Sequence, residues 1–391
     1  MKTRLILTVT TLSFLLGGCS TIGQVLGTNT SRPIPLKPLK EITTPTINAK
    51  KLWEVRTGSA MGETKIRPYI DASTVYIAGG TTASAWQKTS GALQWKANIG
   101  EIITAGINGS SAKNSSGQQV FLGTNNGNAI SLDAKTGKVL WIERLSSEVL
   151  SVSPSQNGRV AFRTVDGKLH GLSSSTGELI WQQTQASPTL TLNGASVPIL
   201  IGPLVVAGFD NGKIAAYQFQ NGQKAWDVTV AKAHGSTDLD RIIDIDGKIM
   251  SLGNALFAAS LNGNMNGIDL AKGATAWTNR FSTSTGVNVN SEGLYSSDSK
   301  GNIWKISPQT GEPMWKMDDL QRYHPTLPAL AGNSLLVIGD KKGNIHWVNS
   351  KTGLIVARNK GDAAGYSVEP KIVGKHAYML GKSGVLSKLA W

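Results

Sequence analysis

The stretch VDGKLHGLSSSTGELIW, residues 165–181, contains one complete unit of a pattern that recurs along the chain. Thirteen residues separate Gly167 from Trp181, and the same spacing recurs at Gly127/Trp141, Gly212/Trp226, Gly263/Trp277 and Gly301/Trp315. Two weaker units share this register, at Gly343/Ala357 and at Thr81/Trp95, where Gly80 comes one position early. A repeat of about 40 to 45 residues is typical of four-stranded propeller blades and not of helical solenoids.

The interior of the unit predicts strands. The VDGK turn at 165–168 and the DNGK turn at 210–213 place glycine where a tight hairpin needs a positive φ. Short alternating runs follow such turns, as at 303–306, and a period of two is typical of strands. A second turn, TGELIW at 176–181, leads into the tryptophan. The sequence therefore predicts an all-β chain.

The tryptophans predict packing between repeats. Because each one stands at the same place in its unit, we expect its flat ring to fill the wedge between neighbouring blades, and we assign none to a ligand. Counting the register gives eight blades, at positions 53, 95, 141, 181, 226, 277, 315 and 357.

The chain ends predict how the ring closes. The segment 373–389 has a strand, a turn and a strand but no outer strand, whereas KLWEV at 51–55 is an outer strand without a blade. Joining the two segments removes an open sheet edge. We therefore expect residues 51–391 to form an eight-bladed β-propeller of four-stranded antiparallel blades, closed by an N-terminal strand that completes the last blade.

Residues 1–50 predict where the protein is located. Lys2 and Arg4 precede an apolar run of signal-peptide length, which ends in LGGC at 16–19. This segment resembles the bacterial lipoprotein signal, which implies a signal peptide over 1–18, lipidation of Cys19 and a lipid-anchored propeller on the periplasmic side of the outer membrane. Residues 19–50 then comprise the lipidated cysteine and a flexible tether rich in Thr, Pro, Ser and Lys.

Composition and motifs argue against several functions. A net charge of +14 would suit nucleic acid, but the lysines are scattered and no nucleic-acid module is recognisable, so we expect no such partner. The five histidines form no HExxH or HxH pair, and Cys19 is the only cysteine, so we expect no metal site. DIDG at 244–247 lacks the later ligands of a calcium loop, and GKSG at 381–384 lacks the first glycine of a phosphate-binding loop. We expect no cofactor and no catalytic residue.

The regular repeat is interrupted most strongly between Trp226 and Trp277, which are 51 residues apart. The interval contains GSTDLDRIIDID at 235–246, which places Arg241 among four aspartates: Asp238, Asp240, Asp244 and Asp246. One interpretation is a partner-binding loop with apolar anchors and carboxylates. The other is a solvated loop in which Arg241 neutralises the aspartates and the isoleucines belong to the next strand.

A second interruption, SPTLTLNGASVP at 187–198, lies in the preceding blade. Leu190 and Leu192 stand at a period of two between turn residues. They are either core residues of a strand or exposed anchors on the rim that carries the acidic segment. Exposed apolar side chains surrounded by charge suit a protein interface.

The repeats resemble those of pyrroloquinoline-quinone enzymes, which are eight-bladed and share a TGxxxW-like pattern. Those enzymes carry an adjacent cysteine pair against the cofactor and a calcium-centred acidic site, and neither is recognisable in this sequence. The resemblance therefore covers the scaffold, and a shared scaffold does not carry function.

The lipoprotein signal, SPTLTLNG, GSTDLDRIIDID and GDKKGNIHWVNSKTGLIVAR at 339–358 together resemble the BamB family, lipoproteins of the outer-membrane β-barrel assembly machinery. The resemblance implies a non-catalytic scaffold that binds the POTRA domains of BamA, belongs to the Bam complex and assists assembly of outer-membrane β-barrel proteins. It implies a BamA-binding site at Leu190, Leu192, Asn193, Asp240, Arg241, Asp244 and Asp246. Asn193 departs from the pattern, because relatives can have arginine after LTL.

Three alternatives stay open. The exposed edges of the outer strands could capture unfolded outer-membrane proteins by backbone pairing, as an accessory role. The chain could instead be a propeller adaptor for another envelope partner, or a periplasmic quinone-dependent dehydrogenase.

Overall fold

The computed structural model describes residues 36–58, 65–110, 118–188, 190–191, 194 and 196–391. The predictions for Cys19, Leu192 and Asn193, and for the signal peptide, lie outside the described residues. The chain divides into a unit Met1–Pro38 and a unit Leu39–Trp391. In the first unit, only residues 36–38 are described, and they form no strand or helix.

Eight sheets, each of four antiparallel strands, make up the described fold. We number the blades in chain order. The first four blades contain β2 (Tyr69–Ile70), β3 (Thr74–Gly79), β4 (Thr82–Gln87) and β5 (Leu93–Asn98); β6 (Ile103–Gly109), β7 (Gln119–Thr124), β8 (Asn128–Asp133) and β9 (Val139–Arg144); β10 (Val149–Val152), β11 (Arg159–Thr164), β12 (Lys168–Ser173) and β13 (Leu179–Thr184); β14 (Ile199–Ile201), β15 (Leu204–Gly208), β16 (Lys213–Gln218) and β17 (Lys224–Thr229).

The remaining blades follow the same up-and-down order. They contain β18 (Met250–Leu252), β19 (Ala255–Ala259), β20 (Asn264–Asp269) and β21 (Ala274–Arg280); β22 (Asn288–Asn290), β23 (Gly293–Ser297), β24 (Ile303–Ile306) and β25 (Pro313–Met317); β26 (Ala329–Ala331), β27 (Leu335–Gly339), β28 (Asn344–Asn349) and β29 (Ile355–Lys360); β30 (Lys371–Val373), β31 (His376–Leu380), β32 (Val385–Ala390) and β1 (Lys50–Arg56). The predicted eight-bladed β-propeller is confirmed. Within the described residues, we find no helix with the length and apolar character that a membrane crossing requires.

The N-terminal strand closes the ring as predicted. β1 pairs antiparallel with β32, from Lys50 opposite Ala390 to Arg56 opposite Val385. Beyond the strand, the Thr57 amide donates to the Gly384 carbonyl at 2.9 Å. The last blade therefore takes its outer strand from the opposite end of the chain.

The tryptophans hold neighbouring blades together. The indole nitrogen of Trp141 donates to the carbonyl of Ser174 in the next blade at 2.9 Å. Its ring lies against Gly177 of that blade, where an added Cβ would come within 2.8 Å of the ring and where φ is +82°. Trp95, Trp181, Trp277 and Trp315 make equivalent hydrogen bonds to the following blade. Each such tryptophan thus packs against the glycine of the turn between the third and fourth strands of the next blade, and the predicted packing role is confirmed.

One rim of the propeller carries the connections between blades. In each blade, the turn between the second and third strands lies at the same end as the connection to the next blade. For example, the Val230 amide, just after β17, donates to the Gly212 carbonyl in the β15–β16 turn at 2.8 Å. We call this end the loop rim. The TG turns between third and fourth strands lie at the opposite end, the turn rim.

Candidate functional site at the loop rim

The two interruptions of the repeat meet in space. The LTL loop, residues 185–198, joins β13 to β14, and the acidic loop, residues 230–249, joins β17 to β18. An added Cβ at Gly194 would lie 2.5 Å from the carboxyl carbon of Asp246. The Ser196 hydroxyl accepts from the Gly208 amide, and Gly208 also lies against Ile245. The loops therefore form one continuous site on the loop rim.

Isoleucines anchor the acidic loop to the blades below it. Ile242, Ile243, Ile245 and Ile249 are all buried. They precede β18, which begins at Met250, so they belong to the loop and not to the next strand. Ile245 and Ile249 pack in the core shared by the fourth and fifth blades. This apolar anchoring fixes the position of the polar segment between them.

The tip of the acidic loop is exposed and ordered by its own hydrogen bonds. Leu239 is 71% exposed, and Asn262 donates to its carbonyl at 2.9 Å. The Thr237 hydroxyl donates to Asp240 at 2.7 Å, and hydrogen bonds from Thr237 lower the Asp240 pKa. Arg241 donates to the Gly235 carbonyl at 3.4 Å. Among the described residues it forms no ion pair with an aspartate, so local neutralisation by Arg241 does not hold the loop together.

Leu190 on the LTL loop is also exposed, at 47% of its surface. Leu239, which the motif comparison did not include, is the second large apolar side chain that the two loops expose within the described residues. In the sequence, Leu239 stands between two aspartates. That position was the available signal for its exposure, because a buried leucine there would require both aspartates to face solvent. We call the exposed residues Leu190, Leu239, Asp240 and Arg241 of the two loops the rim patch.

Asp244 and Asp246 do not lie on the exposed surface. Their exposures are 1% and 2%, so the expectation of carboxylates presented at the rim to a partner is not met. They lie instead with Asp210, and one carboxylate oxygen from each of the three comes within 4.8 Å of the others. The guanidinium of Arg163, from β11, forms an ion pair with Asp210. We call these four residues the buried acid cluster.

Burial sets the electrostatics of this cluster. Removal from water raises the pKa of Asp246 to about 6, although Lys65 and Arg163 act in the opposite direction. Neither carboxylate oxygen of Asp246 accepts a hydrogen bond from the described residues. An ionised carboxylate in such a place is costly unless cations lie near it. Arg163 and Lys65 supply that compensation.

Three carboxylates of this kind are oxygen ligands that suit Ca²⁺ or Mg²⁺. However, Arg163 already places a fixed positive charge in the group. We therefore assign the cluster to the architecture of the rim, where it holds the acidic loop against Gly194 and the β15–β16 turn. Sequence reasoning missed Arg163 and Asp210 because they come from other blades; the one available signal was an arginine inside the apolar strand RVAFRT.

The blades, the ring closure and the interblade tryptophans define an eight-bladed propeller of the PQQ-like repeat class. A family model described as "Outer membrane protein assembly factor BamB" matches residues 79–317. The chain belongs to the BamB family.

Individual relatives agree with this assignment. The chain is 28% identical to the outer membrane protein assembly factor BamB of Yersinia pestis over 380 residues, which cover 95% of each protein. The crystal structure of BamB from Moraxella catarrhalis has a TM-score of 0.79 at 24% identity, covering 88% of this chain and all of that one. A quinohemoprotein alcohol dehydrogenase from Comamonas testosteroni shares the fold with a TM-score of 0.67 at 11% identity, covering 88% of this chain and 76% of that one.

Proposed function

We propose that this chain is a non-catalytic scaffold in outer-membrane protein assembly. In this proposal lipid on Cys19 anchors it to the outer membrane, residues 19–50 form the tether, and the propeller faces the periplasm. It joins the Bam complex by binding the POTRA domains of BamA through the rim patch. The observation that carries the proposal is that the two loops interrupting the repeat converge on one rim and expose Leu190 and Leu239 there.

The rim patch has the composition of a protein interface. Two exposed leucines offer apolar anchors, and exposed anchors of this kind commonly carry much of the binding energy once a partner excludes water. Asp240 and Arg241 beside them are exposed, so they would set orientation and encounter rate more than affinity. Asp244 and Asp246 contribute indirectly, since their burial fixes the loop that presents Leu239.

The test is a binding measurement with paired leucine variants. Leu190→Ser with Leu239→Ser should weaken binding of the full chain to the BamA POTRA region by at least about thirtyfold, the equivalent of one lost anchor of about 2 kcal/mol. Biolayer interferometry supplies the dissociation constants. The matched control is Leu93→Ser with Leu354→Ser, because these leucines are similarly exposed but follow TG turns at the turn rim.

The outcomes separate the parts of the proposal. Failure of the unaltered chain to bind BamA would reject the function, whereas equal binding by the rim variant would reject only the site. Asp246→Asn keeps the shape of the side chain and removes its charge. If that variant alone abolishes binding while its loop stays folded, Asp246 contacts the partner directly and the indirect role is wrong.

A second candidate function, capture of unfolded outer-membrane proteins by strand addition, is favoured by the outer strands of the second and third blades. Val139, Leu140 and Ile142 on β9 are about half exposed, as are Leu179 and Ile180 on β13. An edge strand with exposed apolar side chains offers both backbone pairing and side-chain contact to an extended peptide.

Charge on β9 should oppose this capture. We expect Leu140→Lys with Ile142→Lys to reduce binding of an unfolded outer-membrane β-barrel protein several-fold, because edge lysines disfavour strand pairing. Fluorescence anisotropy of the labelled client measures the change. Met314→Lys on β25 provides a control with comparable exposure on a distant blade. Equal loss in both variants would indicate a general charge effect and not capture at β9.

The remaining alternatives are less well supported. A quinone-dependent dehydrogenase shares this fold, but the family assignment is to an assembly factor, and the fold alone does not carry an activity. An adaptor for another envelope partner would use the same rim patch. In that case the chain would not bind BamA, but its function would still depend on the rim-patch residues.

A further inference from the structure

The centre of the ring contains a cavity that the proposed function does not use. It has a volume of about 800 Å³ and is lined by the first strands of several blades, among them β2, β6, β10, β14, β18 and β30. A second cavity of about 660 Å³ shares Lys65, Arg67 and Glu369 with the first and extends towards the sixth and seventh blades. We call the two together the axial cavity. Each of the two parts has the size of a small-molecule site.

The axial cavity is strongly basic. Eight lysines and arginines line its two parts, against three aspartates and glutamates. Scattered basic residues of the sequence are thus gathered on the axis of the ring. Low-dielectric walls lined by one sign of charge concentrate the electric field and attract counter-ions.

The cations meet around one buried acid. Arg67 donates to Glu369 at 2.8 Å, and Lys248 lies 3.2 Å from its other oxygen. Burial opposes ionisation of Glu369, but the two cations outweigh it and lower its pKa to about 2. Glu369 therefore stays charged and is already matched by its two partners.

Two further lysines exceed what this acid can balance. Lys371 faces the same group, and burial together with repulsion from Lys248 lowers its pKa. Among the described residues, Lys65 donates to the Ser284 carbonyl at 3.5 Å, and burial lowers its pKa too, although Asp246, whose charge it compensates in part, acts in the opposite direction. The cavity thus holds positive charge that an incoming anion would stabilise.

Part of the lining of the first cavity is apolar. It includes Ile107, Val152, Ile199, Ile249 and Met250. Small-molecule sites typically combine such a surface with a few convergent polar groups. A simple inorganic anion would leave this surface in contact with water, whereas an anion with an apolar body would cover it.

We propose that the axial cavity binds an amphiphilic anion, with its phosphate or carboxylate among Arg67, Lys248, Lys371 and Lys65 and its apolar body against the isoleucines and Met250. The cavity is lined in part by the LTL and acidic loops, through Gly194, Val197, Pro198, Lys248 and Ile249, but it contains none of the four rim-patch residues, and the proposal does not rest on BamA binding. Phosphate and carboxylate share the required chemistry, so the two are compared directly.

Isothermal titration calorimetry of the full chain with decyl phosphate tests the proposal, with decanoate and inorganic phosphate as parallel arms. We expect saturable binding of an amphiphile at one site, weakened by salt, and much weaker binding of inorganic phosphate. The stronger of decyl phosphate and decanoate identifies the head group. No saturable binding of either amphiphile would overturn the proposal, and so would inorganic phosphate binding as tightly as both.

Charge variants locate the site. Lys65→Gln with Lys371→Gln should weaken binding about tenfold, since two close charges of the cavity are lost. Glu369→Gln should strengthen binding of the anion several-fold, because this substitution removes the charge that balances Arg67 and Lys248. Lys351→Gln with Lys375→Gln, two exposed lysines in turns outside the cavity, should leave it unchanged. If neither cavity variant changes the affinity for the amphiphile, the assignment of the site is wrong. Melting curves check that each variant is folded.

Discussion

Deleting residues 51–57 should lower the melting temperature of the propeller by roughly 5–10 °C, because a loss of several kcal/mol moves the midpoint of a domain this large by that amount. The deletion removes β1, whose pairing with β32 runs from Lys50 to Arg56. It also removes the ring of Trp53, which packs against Gly91 of the first blade. The last blade therefore loses its outer strand and, at the same time, its contact with the first blade. Circular dichroism or calorimetry measures the change.

A charge-neutral control separates closure from a general effect of altering this segment. Lys51 and Glu54 form an exposed ion pair within β1, at 2.8 Å. Lys51→Gln with Glu54→Gln keeps the strand, so its melting temperature should stay within about 1–2 °C of the original, as expected for an exposed pair. An unchanged melting temperature after the deletion would contradict closure by β1. The deletion should also promote association, since β32 becomes an open edge.

The architecture could be predicted because most repeats contain both members of a contact between blades, a tryptophan and the glycine of a TG turn. A tryptophan in one blade and a TG-turn glycine in the next touch at a fixed place, as Trp141 and Gly177 do. Because the same contact recurs from blade to blade, both residues recur in the sequence at a regular spacing. The missing outer strand of the last blade was equally visible, because seven further units each have one. In the seventh blade, where Ala357 replaces the tryptophan, Trp347 and Trp391 fill the same core.

The positions of the rim loops could also be predicted, but not the orientation of their side chains. Both interpretations of the acidic loop placed its aspartates at the surface. In the structure both faces of the segment 242–246 are buried, because the loop crosses two blades. Asp246 is buried near Lys65 and Arg163, which stand some 180 and 80 residues earlier in the sequence. A pattern read along the chain does not contain such a partner.

The axial cavity was hidden for the same reason. The lysines and arginines that line it come from separate blades, and in the sequence they look like an evenly distributed basic surface. Only the ring brings Arg67, Lys248 and Lys371 around Glu369. Net charge therefore indicated a basic protein but not the place where an anion would bind.

Replacing Arg163 should destabilise the propeller more than any single change at the rim. Arg163→Met keeps much of the apolar volume against Phe209 but removes the guanidinium that pairs with Asp210. Asp210 then loses its ion-pair partner and Asp246 loses one of two cations that act on it, and breaking a buried ion pair from one side costs about 3–5 kcal/mol. Urea denaturation at pH 7.5 should show this loss. The double variant Arg163→Met with Asp210→Asn should recover a large part of it, because one uncompensated charge disappears with its partner.

The size of this loss should depend on pH in a defined direction. The pKa of Asp246 is about 6 in the folded chain, above its unfolded value near 4. A carboxyl group with a raised pKa favours the folded state when protonated, and this contribution is lost as the pH rises through the folded pKa. Without Arg163 the pKa of Asp246 rises further, so the penalty of Arg163→Met should be markedly smaller at pH 5.5 than at pH 7.5. Glu369, with a pKa of about 2, stays ionised across this window and does not mask the effect. A penalty equal at both pH values would mean that the carboxylates of the cluster are solvated in the folded protein, and that the acidic loop is not held by Arg163.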